Sequence, residues 1–264
     1  YVDLEGQMDD GPENTLAFAQ AAGLPKAAGW EPISRVPLGI PEVSPLSQAT
    51  GYATFARDGK HIDTHVVAQV KDASGAVVYA ADTSAEQTVD ADVANDVAYA
   101  LTNVVQDGTA ARAGNMGFPI AGKTGTYYIR DAAGGSKTTA CWFVGMSKQI
   151  ATAVMYVAGD EGTDDLNDYY PAGFFGSGPP LSTWMSYMSV AQDGLKDIAF
   201  DGPTQRVSTQ SPTAPARTSQ PTRTSNPSAT ATQPTTEPTT EPTTQPTVEP
   251  SNGRPTVRPS ATQT

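Results

Sequence analysis

The chain has 264 residues and a formal net charge of −12 at pH 7, with no run of lysine and arginine that could form a basic face. This acidic balance argues against nucleic acid and anionic membranes as partners. A single cysteine, Cys141, excludes an internal disulfide, and two histidines, His61 and His65, are too few for a zinc site. We therefore expect no metal and no cofactor.

The composition changes near Pro203. Residues 1–202 mix apolar, charged and glycine residues as globular domains do, whereas residues 203–264 consist mainly of proline, threonine, serine and glutamine, without any aromatic residue. Such a segment cannot bury enough apolar surface to offset its loss of conformational entropy. We predict a folded body over residues 1–202 and a disordered tail over residues 203–264. The tail is either an extended, glycosylated stalk or an unmodified flexible segment.

The first half of the body contains two predicted helices and a hairpin. Proline in the first turn and a glycine after the last turn indicate a short helix over residues 12–20. Ser44 can cap a second helix, which has proline at its first position and ends at residues 58–59. Alternating apolar residues on both sides of a turn at residues 72–75 then predict a β-hairpin.

The second half of the body begins with a longer helix that Asp90 opens. Its apolar residues share one face: Val93, Val97, Leu101, Val104 and Val105. Three apolar runs follow, at residues 118–128, 140–146 and 150–158, and we predict that they form three antiparallel strands. A last helix over residues 181–192 would cover one face of this sheet. The body is therefore predicted to be an α+β domain, with an antiparallel sheet flanked by helices.

The most informative stretch of the sequence is Lys123-Thr124-Gly125-Thr126. The glycine leaves the backbone uncovered, the lysine supplies a cation, and the two threonines supply hydroxyl donors. If the stretch forms an edge strand, these groups suit a ligand that carries a carboxylate and lies along the strand. By itself a four-residue string of this kind also occurs on ordinary surface strands.

Ordered sequence blocks on both sides of this stretch extend the pattern. Residues 38–46 lead into residues 53–59, residues 108–110 read Gly-Thr-Ala before it, and residues 140–145 follow it. In this order the chain from residue 38 to residue 200 resembles the transpeptidase domain of high-molecular-weight penicillin-binding proteins. It is most similar to the bifunctional class that also carries a glycosyltransferase. The resemblance implies the fold shared by penicillin-binding proteins and serine β-lactamases, here incomplete.

The resemblance also implies roles for single residues. In the family a serine attacks the penultimate D-alanine carbonyl of a wall stem peptide, and β-lactams acylate the same serine. Lys123 would assist proton transfer beside a second serine, and Thr124 and Thr126 would hold the carboxylate of the substrate or drug. The Thr126 backbone N–H would give half of an oxyanion hole, and Gly125 would keep the strand clear. The expected partners are stem peptides that end in D-Ala-D-Ala, and β-lactams.

Two motifs of the family are absent. No serine in residues 1–202 is followed by lysine at the third position or by asparagine at the second. We expect both motifs, and a membrane-anchoring helix, to lie upstream of Tyr1 in a longer protein that works outside the cytoplasm at the cell surface. The chain by itself is then predicted to be inactive. The alternative is a non-catalytic module of similar fold that recognises wall peptides or partner proteins.

Other conspicuous residues are interpreted structurally. Cys141 is predicted to be a small buried residue rather than a reactive thiol, and the two histidines are predicted to be solvated. Residues 160–168 form an acidic stretch that resembles a calcium loop only loosely, so we expect a solvated loop. Trp142 and Trp184 could line a sugar site, but their periodicity favours packing in the core.

Overall fold

The computed structural model describes residues 2–27, 30–130, 134–170 and 173–204. Apart from its first two residues, the predicted disordered tail lies outside this range, so its disorder stays a prediction. None of the helices in the described part has the length and apolar character needed to cross a membrane.

The described residues contain six α-helices and two 3-10 helices. The α-helices are α1 (Val2–Glu5), α2 (Gly11–Ala21), α3 (Pro45–Ala56), α4 (Ala91–Gln106), α5 (Leu166–Tyr169) and α6 (Pro179–Ala191). The 3-10 helices are Val36–Leu38 and Ala111–Asn115. All four predicted helices are present, and each end lies close to the predicted residue. The short helices α1 and α5 have too few residues for a recognisable apolar period.

The strands form three antiparallel sheets within the described residues. Two sheets are small pairs: β1 (Lys60–His61) with β4 (Glu86–Gln87), and β2 (Gln69–Lys71) with β3 (Val77–Ala80). The main sheet has the order β5-β6-β7 and consists of β5 (Ala121–Arg130), β6 (Ser136–Met146) and β7 (Ala151–Val157). The predicted hairpin and the three predicted antiparallel strands are therefore present.

Side-chain caps fix where α3 and α4 begin. The Ser44 hydroxyl accepts the backbone N–H of Ser47 at 3.0 Å. The Asp90 carboxylate accepts the N–H groups of Asp92 and Val93 at 3.0 and 3.3 Å. The first N–H groups of a helix have no partner inside the helix, so each cap satisfies donors that would otherwise need water. These two helix starts follow from the sequence for that reason.

One face of the main sheet, called the α6 face below, packs against α6. Trp184 of α6 is fully buried and meets Phe143 of β6 edge-on, with 5.1 Å between the ring centroids. Gly145 leaves space for the indole ring, because a Cβ at this position would come within 2.7 Å of it. Leu181 and Met188 of α6 are also fully buried in the same cluster. The predicted closing helix therefore covers a face of the sheet.

The opposite face, called the α3/α4 face below, packs against α3 and α4. Ala56 of α3 and Ala98 of α4 form a buried cluster with Ala121 of β5 and Met146 of β6. Small residues let the two helices lie close to the strands. Farther along β6 the described residues cover this face less completely, and Trp142 is only half-buried. Helices flank an antiparallel sheet on both faces, which confirms the predicted α+β class.

After α6 the chain returns to α4. Phe200 packs against the cluster on the α3/α4 face. The Asn95 side-chain amide donates to the Gly202 carbonyl at 2.8 Å. The backbone N–H and the hydroxyl of Thr204 donate to the two carboxylate oxygens of Asp96 at 2.7 and 2.8 Å. These contacts hold the chain against α4 as far as Thr204, the last residue that the structure describes.

Candidate active site

Strand β5 carries Lys123, Thr124, Gly125 and Thr126 along an edge of the main sheet. Among the described residues it pairs with β6 on one side only. The free side of such a strand presents backbone N–H and C=O groups to any extended chain that lies beside it. The expected edge strand is therefore present among the described residues.

The side chains of this stretch alternate between the two sheet faces, as they do in any strand. Thr124 and Thr126 lie on the α6 face, since Thr124 is opposite Phe143 in the register with β6. Lys123 and Gly125 lie on the α3/α4 face. The hydroxyls of Thr124 and Thr126 therefore lie on the α6 face, whereas the Lys123 side chain leaves the strand on the α3/α4 face.

The ammonium group of Lys123 reaches back to its own strand. Lys123 is half-buried, and its Nζ donates to the Thr124 carbonyl at 2.9 Å. It forms no ion pair with a carboxylate of the described residues. A positive charge held at the strand edge without an opposite charge beside it attracts an anionic ligand. Beside it Gly125 has no side chain that could cover the strand.

The hydroxyl of Thr124 is engaged by a second threonine. Thr109 lies in the turn between α4 and the second 3-10 helix, and its Oγ1 is 2.7 Å from the Oγ1 of Thr124. Thr109 is exposed, whereas Thr124 is half-buried. The pair therefore sits where the surface meets the edge strand.

The hydroxyl of Thr126 is engaged by a backbone group. The N–H of Gly176, in the segment before α6, donates to Thr126 Oγ1 at 3.1 Å. Gly176 lies directly on the sheet, because a Cβ there would meet the backbone of Gly125 and Trp142. Only glycine permits this approach. Residues 173–178, called the wall segment below, thus lie beside the threonines.

Cys141 lies opposite Thr126 in the register with β6 and is fully buried. Its thiol donates to the Phe174 carbonyl at 3.4 Å. Burial raises the pKa of the Cys141 thiol to about 11, although a hydrogen bond with Thr126 lowers it in part. The thiol therefore stays protonated at neutral pH and lacks the thiolate form that reacts. The expectation of a small buried cysteine is confirmed.

A polar network ties the wall segment to β6. The Asp165 carboxylate accepts the backbone N–H groups of Asn167 and Thr138 at 3.0 and 3.1 Å. These hydrogen bonds, with that of Asn167 first, lower the pKa of Asp165 below its ordinary value. The Asn167 side-chain oxygen in turn accepts the N–H of Phe174 at 2.8 Å. These hydrogen bonds hold Phe174, and with it Gly176 two residues later, in place beside the sheet.

Sequence reasoning missed several residues around the strand. Asn167 and Gly176 stand in an irregular segment whose position depends on tertiary contacts, and nothing in their local sequence marks them. Thr109 had a signal, because it stands in the Gly-Thr-Ala block that contributes to the family resemblance. Its contact with Thr124 could not be inferred from that block alone.

The other conspicuous residues are placed as follows. His61 is only partly solvated: its side chain is 19% exposed, and its Nδ1 lies 3.3 Å from the Thr54 hydroxyl. The prediction holds for only part of the ring because β1 packs against α3, which sequence periodicity does not reveal. His65 is exposed, as expected, and Trp184 is a core residue. In the described residues no group of three or more His, Cys, Asp or Glu side chains could hold a metal ion.

Comparison with known sequences identifies the class. The profile of the family described as "Penicillin binding protein transpeptidase domain" matches residues 18–172, which is more than half of the chain. The chain belongs to this family. Penicillin-binding protein 1A of Neisseria flavescens is 32% identical over 163 residues, which cover 60% of this chain and 19% of that protein. The chain therefore spans about a fifth of the length of this relative.

Comparison with solved structures agrees with the family. The structure of PonA1 from Mycobacterium tuberculosis has a TM-score of 0.67 and 26% identity, over 78% of this chain and 56% of that chain. PonA1 has the same similarity to this chain in its complex with penicillin V. Penicillin-binding protein 1A of Haemophilus influenzae has a TM-score of 0.61 at 19% identity, over 73% of this chain and 32% of that chain, and shows the fold alone. The predicted resemblance to penicillin-binding transpeptidase domains is confirmed.

Proposed function

We propose that this chain forms one wall of the active site of a serine D,D-transpeptidase that cross-links peptidoglycan and is acylated by β-lactams. The observation that carries the proposal is the sequence Lys123-Thr124-Gly125-Thr126 on the free edge of β5. This strand lies within residues 18–172, the part that matches the family. Its chemistry suits a substrate that is extended, carries a carboxylate and ends in D-Ala-D-Ala.

The carboxylate of the terminal D-alanine, or of a β-lactam, would bind at the threonines. The hydroxyls of Thr124 and Thr126 share the α6 face and can donate to its oxygens, while Lys123 supplies the opposite charge. A hydrogen bond to a charged group contributes about 1.5–3 kcal/mol. Gly125 stands between the two threonines and has no side chain, so the ligand backbone can approach β5 closely.

The acyl carbonyl of the ligand would lie against the backbone N–H of Thr126. This donor meets an oxygen that becomes negative only when the carbonyl is attacked, so it lowers the barrier rather than the ground state. Loss of one such donor typically reduces turnover by about 10²–10³-fold. A free edge strand is well suited to this role, because its outward N–H groups have no partner in the sheet.

The nucleophile would come from residues outside the 264 of this chain. A serine Oγ there attacks the penultimate D-alanine carbonyl, and the terminal D-alanine leaves with the proton on its amine. An amine from a neighbouring peptidoglycan strand then attacks the acyl-serine ester, forms the new amide and releases the serine. Lys123 would stabilise the groups that transfer these protons. The half-buried Trp142 on the α3/α4 face supports docking of a further element there.

The proposed substrate sets the place of action. Stem peptides lie outside the cytoplasmic membrane, so the domain would work at the cell surface. A membrane anchor and a glycosyltransferase domain, as in the bifunctional class, would belong to other parts of the full-length protein. Both stay predictions, as do the roles of the four residues on β5.

Penicillin labelling tests this proposal. The purified 264-residue chain is expected to form no covalent adduct with a fluorescent penicillin, because it lacks the nucleophile. The full-length protein that contains it should form a stoichiometric adduct, visible on a denaturing gel and by intact mass. An adduct on a serine or threonine of the chain alone would contradict the proposed division of the site. Binding to the full-length protein without an adduct would instead support the non-catalytic module.

A further inference from the structure

We infer that Thr109 is a positioning residue that turns the Thr124 hydroxyl toward the ligand carboxylate. The inference rests on the proposed function, and it starts from the 2.7 Å distance between the two Oγ1 atoms. This distance is typical of a well-formed O–H···O hydrogen bond. Thr109 does not need to touch the ligand to act in this way.

The donors and acceptors that the two hydroxyls offer determine which of them donates the hydrogen bond. A threonine hydroxyl has one proton to donate and two lone pairs that accept. A carboxylate only accepts hydrogen bonds, so the Thr124 hydroxyl must donate its single O–H to the ligand. Thr109 must then donate to Thr124, and the chain runs from Thr109 through Thr124 to the carboxylate. Hydrogen bonds in such a chain polarise one another, which strengthens the one to the ligand.

Thr126 shows the same arrangement with a fixed donor. The Gly176 N–H can only donate, so the Thr126 hydroxyl accepts there at 3.1 Å and keeps its proton for another acceptor. The neighbouring Cys141 thiol stays protonated and offers only a weak acceptor. Each of the two threonine hydroxyls therefore has a second group that can donate a hydrogen bond to it. At Thr124 that donor is a side chain, and it can be removed by substitution.

The backbone around Thr109 is held firmly enough to position a hydroxyl. Gly108 is packed against α4, since a Cβ there would lie 2.8 Å from the Val104 carbonyl oxygen. The next residue, Ala110, is fully buried and donates its N–H to the same carbonyl at 3.1 Å. Arg112 then donates to the Ser177 carbonyl at 3.3 Å and so links this turn to the wall segment. A site residue needs such support to stay in its productive geometry.

Acylation by benzylpenicillin and by its methyl ester separates positioning from structure. In the full-length protein, Thr109→Val is expected to slow acylation by benzylpenicillin about tenfold, near the lower end of the effect of one hydrogen bond to a charged group. The ester has no carboxylate, so its rate should change less than about twofold. Thr109→Ser keeps the hydroxyl and should restore the wild-type rate. Rates are measured by intact mass against time.

Thr64→Val is the matched control. Thr64 is an exposed threonine whose Oγ1 lies 2.8 Å from the Thr50 Oγ1, so the change removes a similar hydroxyl pair outside the site. It should leave both rates unchanged. Equal loss with acid and ester in Thr109→Val, or no loss, would overturn the inference. If Thr124→Val slows benzylpenicillin while Thr109→Val does not, the inference alone fails. If the wild-type protein is never acylated, the proposed function fails with it.

Discussion

Replacing Lys123 with alanine in the full-length protein is expected to slow acylation by benzylpenicillin by about 10²- to 10⁴-fold. The change removes the charge that attracts the carboxylate and the group that supports proton transfer. Stability should change little, because the described contacts of the ammonium are limited to one hydrogen bond, to the Thr124 carbonyl at 2.9 Å. Stopped-flow acylation rates and thermal unfolding curves of both proteins measure the two effects separately.

Lys137→Ala is the control for this prediction. Lys137 is also a half-buried strand lysine, but it lies on β6 opposite Ile129, about 20 Å along the sheet from Lys123. Its removal should leave the acylation rate at the wild-type value. A wild-type rate in Lys123→Ala would remove the lysine from the site. An equal loss of acylation rate in both variants would mean that removing any positive charge from the sheet slows acylation.

Trp184→Ala should have the largest effect on stability, a loss of about 3–5 kcal/mol in the free energy of unfolding. The indole is fully buried, lies edge-on to Phe143 at 5.1 Å and donates its N–H to the Thr152 carbonyl at 3.2 Å. Its removal leaves a cavity behind the main sheet and an unsatisfied carbonyl. Urea unfolding of the purified chain, followed by far-ultraviolet circular dichroism, measures the loss.

Tyr187→Ala on the same helix provides the comparison. Tyr187 is 54% exposed, so its removal should change the free energy of unfolding by only about 0.5 kcal/mol. Similar midpoints and slopes for Trp184→Ala and wild type would show that α6 does not support the sheet as described. A chain that no longer folds after Trp184→Ala, while Tyr187→Ala still folds, agrees with the predicted large loss.

The elements that the sequence predicts best are those with local signals. The caps at Ser44 and Asp90 place the starts of α3 and α4, because these side chains bond the helix backbone directly. Strand β6 begins at Ser136, earlier than the apolar run, since its first residues are polar and still pair with β5. The two-residue strands β1 and β4 carry no alternation that could be recognised.

The residues of the candidate site also fall into those with a local sequence signal and those that only the tertiary fold brings together. The four residues on β5 are adjacent in sequence and form a motif, so they can be proposed without a structure. Their partners Thr109, Asn167 and Gly176 come from segments that only the tertiary fold brings to the strand. The half-burial of His61 is likewise a tertiary effect, because it depends on contact with Thr54 of α3.

A crystal structure of the full-length protein acylated by benzylpenicillin tests the assignment of β5 most directly. The penicillin carboxylate is predicted to lie within about 3 Å of the hydroxyls of Thr124 and Thr126, with the acyl oxygen at the Thr126 N–H. The ligand should run along the free edge of β5, beside Gly125. A penicillin bound with its carboxylate away from these threonines would contradict the assignment.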